Sequence, residues 1–123
     1  MLKCKSVYAT AQKEDGHRVL VDLFWPEGLQ TRYAYVDEWL QELGPSYDLQ
    51  RFHFSTSNWE NYRSLYMQEL LSTNQKKKLL EEIARKSRNR EVTLLYGNKD
   101  PVHNHAVLLK DVIESNLLKN DKS

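Results

Sequence analysis

Cysteine is nearly absent from the chain: Cys4 stands alone in 123 residues, so no intramolecular disulfide can form. That usage suits a reducing compartment, and a cytoplasmic location is the expectation. Glycine and proline are scarce, at four and three residues, and the prolines stand apart from one another. No linker, repeat or low-complexity tract interrupts the pattern, which predicts one domain over 1–119 and a frayed polar tail over 120–123. No window approaches the roughly 18 uninterrupted apolar residues of a membrane span. Met1-Leu2-Lys3-Cys4-Lys5 lacks the layout of a secretory signal, so no membrane partner is expected. A dominant charge is missing too, since 18 Lys and Arg face 17 Asp and Glu for a net charge of +1. A nucleic-acid binder usually shows a basic excess, so nucleic acid is not an expected partner. Neither G-x-x-x-x-G-K-[ST] nor G-x-G-x-x-G occurs, and no cofactor is expected.

What remains is 40% hydrophobic and 28% charged, enough for one core. Leu2 to Ala9 reads as a strand, followed by a turn at Asp15-Gly16. Val19 to Phe24 is a near-continuous apolar run, the pattern of a strand buried on both faces, and Trp25-Pro26-Glu27-Gly28 ends it. Val36, Trp39, Leu40 and Leu43 fall at helical spacing before Gly44-Pro45. Tyr47 to Ser55 is irregular, with Leu49, Phe52 and Phe54 as anchors. Ser57-x-x-Glu60 has capping-box spacing, and Trp59, Tyr62, Tyr66 and Leu70 recur behind it as a helix. Leu79, Leu80, Ile83 and Ala84 mark another helix, with opposite charges four apart on its other face. Val92 to Tyr96 is the clearest strand. Asp100 and Pro101 then predict the start of a last helix carrying Ala106, Leu109, Val112, Ile113 and Leu117. The order predicts an α/β fold, a small and largely parallel sheet packed by about four helices.

Ligands in such folds gather at the carboxyl ends of strands. Two loops qualify here, 22–28 and 97–105. Asp22 is a carboxylate inside an apolar run; it is either a ligand-orienting group or general base, or a structural pin held by backbone N–H groups. Tyr96, Asp100, His103, Asn104 and His105 surround the second loop, where a helix start favours an anion. His103 and His105 stand two apart and diverge on a helix, so no metal is expected. Cys4 reads as a small core residue. Trp25 and the other aromatics either line a pocket or fill the core, and spacing favours the core for Trp39, Trp59, Tyr62 and Tyr66.

The chain resembles the YeaO-like family of small bacterial proteins, a domain of unknown function. Four ordered stretches carry the likeness: Asp15 to Asp22 with Trp25-Pro26 and Gly28; Asp37, Trp39, Leu40, Leu43 and Pro45-Ser46; Trp59, Tyr62, Arg63, Tyr66 and Glu69-Leu70; and Val92 to Tyr96 with Asp100 and Asn104-His105-Ala106. The family pattern places cations where this chain has Ser6, Leu23 and Glu27, which leaves Arg18, Arg63 and Lys99 as the basic candidates for an anion. The resemblance implies a cytoplasmic α/β protein and supplies no activity. The expectation is a regulatory module that binds a small molecule or protein at the strand ends through Trp25, Arg63, Tyr96, Asp100, His103, Asn104 or His105. The alternative is an enzyme on a small polar or anionic substrate with Asp22 as base or orienter. A homodimer stays open.

Overall fold

A computed structural model describes residues 1–50 and 58–115. The capping serine Ser57, the anchors Phe52 and Phe54, Leu117 and the tail 120–123 lie outside the described residues. The rest forms one α/β domain around a four-stranded sheet, with every pairing parallel and a strand order of β1-β4-β2-β3. The strands are β1 (Leu2–Ser6), β2 (His17–Leu20), β3 (Glu38–Trp39) and β4 (Val92–Tyr96). Five helices are described: α1 (Thr31–Ala34), α2 (Tyr47–Gln50), α3 (Trp59–Leu70), α4 (Asn74–Asn89) and α5 (His105–Glu114). None is long and apolar enough to cross a membrane.

Strand alternation divides the sheet into two unequal faces. Leu2, Val19, Val21, Val92, Leu94 and Tyr96 join the main core, packing with Tyr66, Leu70, Leu80, Leu109 and Val112 from the long helices. Each leucine fully buried there contributes about 1.5–3 kcal/mol before chain entropy is subtracted. The helical spacings read from the sequence hold at these positions. α4 opens on Thr73, whose hydroxyl accepts from Lys76 N–H at 3.1 Å.

The opposite face carries a smaller cluster of Val7, Leu20 and Leu95, with Trp25, Leu29 and Val36 packed on it. Beside this cluster lies a buried polar pin. The Asp15 carboxylate, 2% exposed as a residue, accepts from Gln12 N–H at 3.0 Å, from Lys5 Nζ and from Arg18. Thr93 of β4 donates its hydroxyl to Asp15 O at 2.7 Å. Arg18 also donates through Nε to Tyr35 O at 2.9 Å and through a terminal nitrogen to Ala34 O at 3.0 Å, closing the end of α1. Tyr35 there is left-handed, at φ 50° and ψ 44°, a conformation that costs a non-glycine residue roughly 1–2 kcal/mol. Gly16 has φ 66°, and a Cβ on it would sit 2.3 Å from Glu91 O, so this turn requires glycine.

Three expectations are corrected. Val36 to Leu43 is not a helix but β3 followed by a 3-10 turn over Gln41–Leu43. Asp37 N–H donates to Arg18 O and Leu40 N–H to Leu20 O, so the free edge of β2 captures this segment. Its apolar residues then serve both faces: Leu40 and Leu43 enter the main core, Val36 joins the small cluster, and Trp39 is 36% exposed. Second, β2 stops at Leu20 rather than Phe24, because the chain turns away where the Asp22 carboxylate reaches Gly97 N–H. Likewise β1 stops at Ser6, where Ala9 N–H turns back onto Ser6 O. Third, Asn104 rather than Asp100 caps the last helix, accepting from Val107 N–H at 3.0 Å. Asp100 instead closes a separate turn by accepting from Val102 and His103 N–H groups.

Burial alone would raise the Asp15 carboxyl, but its hydrogen bonds from Gln12, Lys5 and Arg18 outweigh that and hold it below the usual range. A group more acidic when folded stabilises fully above its unfolded pKa, about 4, and loses that contribution as pH falls through the lower folded value. Asp15→Asn is expected to cost about 3–5 kcal/mol at neutral pH by leaving Arg18 without its carboxylate. Urea unfolding at a series of pH values should show the gap from the parent protein narrowing below about pH 4. A gap constant with pH would contradict the pin.

Candidate functional site

Parallel pairing of β2 with β4 brings the carboxyl ends of both strands to one edge, so the loops after Leu20 and Tyr96 lie together. Asp22 bridges them. Its Oδ2 accepts from Gly97 N–H at 2.9 Å. Its Oδ1 lies 2.8 Å from His105 Nε2, the first residue of α5. The same imidazole nitrogen is 3.1 Å from Val21 O. Two acceptors face one ring nitrogen, so that nitrogen carries the proton. The N–H is aligned on Val21 O, leaving Asp22 Oδ1 buried in close contact beside it but with no aligned hydrogen bond. The Tyr66 ring meets the imidazole edge-on at 6.1 Å, and the Tyr66 hydroxyl donates to Leu43 O.

The loop after β2 is strapped from several directions. Trp39 Nε1 donates to Asp22 O at 2.7 Å and Gln41 Nε2 to Leu23 O at 3.1 Å. Trp25 Nε1 donates to Leu29 O at 2.8 Å, and the Tyr8 hydroxyl to Glu27 O at 2.6 Å. The Trp25 and Trp39 rings meet edge-on at 5.3 Å. Gly44 approaches the same loop so closely that a Cβ there would sit 2.3 Å from Leu23 N.

These straps frame a cleft of about 730 Å³ at the strand ends, within the range of small-molecule sites. Tyr8, Phe24, Trp25, Pro26 and Tyr62 form much of its wall, and Asp22, Gly97 and His105 line it as well. Lys99, Glu27, Asn98 and Gln50 supply polar lining. Burial, with the charges of Glu69 and Asp22, pushes the Tyr62 hydroxyl well above its ordinary value, so it stays neutral.

The candidates from the sequence separate into two groups. Asp22, Trp25 and His105 line the cleft. Tyr96 is buried in β4, and burial raises its hydroxyl. Arg63 lies on α3, 4.0 Å from Glu60, and does not line the cleft. Asp100 and His103 pair at 3.4 Å, and His103 meets Trp59 edge-on at 4.9 Å. Asn104 is 1% exposed, with its oxygen on Val107 N–H and its amide donating to Asp100 O. Asp22 thus shares its site with His105, whereas the side chain of Asn104 serves the helix cap. His103 lies before α5 rather than on it, against Asp100 and Trp59, whereas His105 opens the helix beside Asp22. Among the described residues no group of three or more His, Cys, Asp or Glu side chains could hold a metal ion.

Sequence reasoning missed Tyr8 and Gln50, and placed Tyr62 in the core, where its spacing put it; Gly97 opens the second loop named from the sequence. Of the positions that hold cations in the resembled pattern, Leu23 and Glu27 line the cleft, whereas the Ser6 hydroxyl accepts from Tyr8 N–H. Lys99 is the one Lys or Arg among the cleft-lining residues described. Arg18, the third basic candidate, is engaged by Asp15, Tyr35 O and Ala34 O.

A family model described as the inactive DUF488-N3 subclade matches residues 1–123. The chain is 38% identical over 115 residues to the uncharacterized protein YeaO of Escherichia coli (strain K12), covering 93% of this chain and 97% of that protein. It is 27% identical over 108 residues to the uncharacterized protein Rv3073c of Mycobacterium tuberculosis (strain H37Rv), covering 87% and 88% respectively. The uncharacterized protein Mb3100c of Mycobacterium bovis shows the same values. No solved structure matches the chain.

Two measurements check this geometry. A Cβ on Gly97 would lie 2.7 Å from Asp22 Oδ2, so Gly97→Ala must push the carboxylate off the amide. The expected loss in urea unfolding is about 1–3 kcal/mol; a variant as stable as the parent would remove the bridge. Cys4 provides the second. Its thiol donates to Ala106 O, and burial pushes its pKa up to about 11 against the pull of Lys110. Iodoacetamide should alkylate it at pH 8 on the order of a hundredfold more slowly than free cysteine. Alkylation at the free-cysteine rate would contradict its burial.

Proposed function

The chain belongs to the YeaO-like family, within the inactive DUF488-N3 subclade, and from that premise we propose that it is a non-catalytic cytoplasmic module that binds a small ligand at the strand ends. The observation that carries this reading is the division of labour in the cleft. Asp22 and His105, its best acid–base pair, are engaged with each other and with the backbone at Gly97 and Val21. Among the aromatic residues that line the same cleft, Phe24 is 55% and Tyr8 49% exposed. A site of this kind recognises shape and apolar surface, with Lys99, Glu27 and Asn98 to orient the ligand. The subclade's description as inactive agrees.

The 2.8 Å contact between Asp22 and His105 favours a second reading, an enzyme with this pair as acid and base. It requires one partner to release its backbone bond when substrate enters. The two readings differ in the fate of the ligand, which a binding module returns unchanged and an enzyme converts.

A thermal-shift screen with a broad metabolite panel tests both. A true ligand at 100 times its Kd should add about 2.7 kcal/mol, or roughly 10 °C for a chain of this size. Phe24→Ala should reduce that shift while leaving the unliganded midpoint nearly unchanged, because the ring is mostly exposed. A panel with no hit, or a hit untouched by Phe24→Ala, would sink the binding reading. Conversion of the hit, followed by mass spectrometry, would replace it with the enzymatic one.

A further inference from the structure

The charges of the chain are unevenly placed. Between Asp22 and Gln50 it carries six acidic residues and one basic residue, Arg32, although the whole chain has a net charge of +1. Of these acids, Asp37 and Glu38 lie against His17, while Glu27, Glu42 and Asp48 make no ion pair with the described residues. Asp22 and Glu27 line the strand-end cleft, and Lys99 is the one ammonium group set against them there. Lys99 makes no ion pair among the described residues, so it neutralises neither carboxylate by contact. Asp48 stands on α2, whose Gln50 lines the cleft and whose Tyr47 meets Phe24 edge-on at 6.5 Å. The resulting field acts on Tyr62 in the cleft wall: after burial, the groups that raise its hydroxyl are the carboxylates of Glu69 and Asp22.

The aromatic lining has the matching chemistry. Trp25 Nε1 donates to Leu29 O and the Tyr8 hydroxyl to Glu27 O, so the polar atoms of both side chains are committed to the loop backbone. What Tyr8, Phe24 and Trp25 offer a ligand is therefore ring surface. Phe24 is the most exposed of the aromatic residues that line the cleft. The face of an aromatic ring is negative and attracts a cation, and nearby carboxylates add to that attraction. An anion would instead meet two carboxylates for one ammonium group, and a neutral ligand would gain nothing from either carboxylate. Asp22 acts mainly through its field, because Oδ1 is buried and Oδ2 holds the Gly97 amide. Glu27 is exposed and free to meet a charged group directly.

We propose that the ligand of the strand-end cleft is a small organic cation, an alkylated ammonium group held against the ring surface of Tyr8, Phe24 and Trp25 in the field of the Glu27 and Asp22 carboxylates. This rests on the reading of that cleft as a binding site. Choline is the probe, and 3,3-dimethylbutan-1-ol, with carbon in place of the ammonium nitrogen, is its uncharged isostere. In a two-dimensional NMR titration, choline should shift the Trp25 indole N–H and the Phe24 and Asn98 amides saturably. It should bind about two- to fivefold more tightly than the alcohol. Glu27→Gln should weaken choline binding roughly twofold and Lys99→Gln should strengthen it by a similar factor, while neither changes binding of the alcohol. Both side chains are exposed, so these variants fold as the parent does. Equal binding of the two probes in the cleft would overturn the choice of a cation and leave the binding reading standing. Unchanged choline affinity in both charge variants, choline shifts confined to residues outside the cleft, or no saturable shift would each overturn the proposal, and the metabolite panel decides the binding reading separately.

Discussion

One carboxylate, that of Asp22, ties together the three segments that make the strand-end cleft. Parallel strands leave their carboxyl ends side by side, but nothing in sheet pairing fixes how the chains leave it. Here Asp22 Oδ2 holds the Gly97 amide and Oδ1 lies against His105, so β2, β4 and the start of α5 meet at one side chain. A buried carboxylate costs several kcal/mol unless hydrogen bonds and charge offset it. That cost makes the arrangement specific, since any displacement of the loop strips the carboxylate of a partner. The aromatic lining of the cleft follows from the same geometry, because Trp39 and Gln41 anchor to the backbone of Asp22 and Leu23.

A second carboxylate plays the corresponding part on the other face of the sheet. Asp15 gathers Lys5, Gln12 and Arg18 beside the small cluster, where none of the described long helices supplies apolar cover. Several residues that carry the family resemblance acquire physical roles in this way. Asp15 and Arg18 form the pin, and Asp37 binds the amide of Arg18. Ser46 is held by Glu69 through both its amide and its hydroxyl, which docks the Pro45 turn onto α3. Trp59, Tyr62 and Tyr66 follow one another as ring contacts toward His105. The resemblance thus largely describes the Asp15 pin and the packing behind the strand-end cleft.

Much of this architecture was legible in the residues. Val92 to Tyr96, the apolar stripes of α3, α4 and α5, and the α/β order follow from periodicity, because long elements average over many positions. The segment Val36 to Leu43 did not, since its helical spacing arises from a chain that crosses the sheet edge and feeds both faces. Asp100 read as a helix cap for a similar reason: the same side chain closes an isolated turn equally well, and only the later Asn104 continues into helix. In the site, Asp22 was visible as a charge in an apolar run, and Trp25 and His105 as neighbours of the strand ends. Their assembly was not, because the Asp22–His105 contact spans most of the chain. Glu27 and Leu23, members of the 22–28 loop that stand where the resembled pattern has cations, line the cleft, and the near-neutral composition extends into the site itself.

The central claim is that His105 carries its proton on Nε2, facing Val21 O and the Asp22 carboxylate. Nitrogen-15 NMR of the imidazole rings tests it most directly, because the two ring nitrogens report protonation separately. The account predicts that Nε2 of His105 is protonated in the native state, with its proton protected from rapid exchange. A neutral ring with its proton on Nδ1 and a bare Nε2 would contradict it, since that nitrogen could then hold neither acceptor.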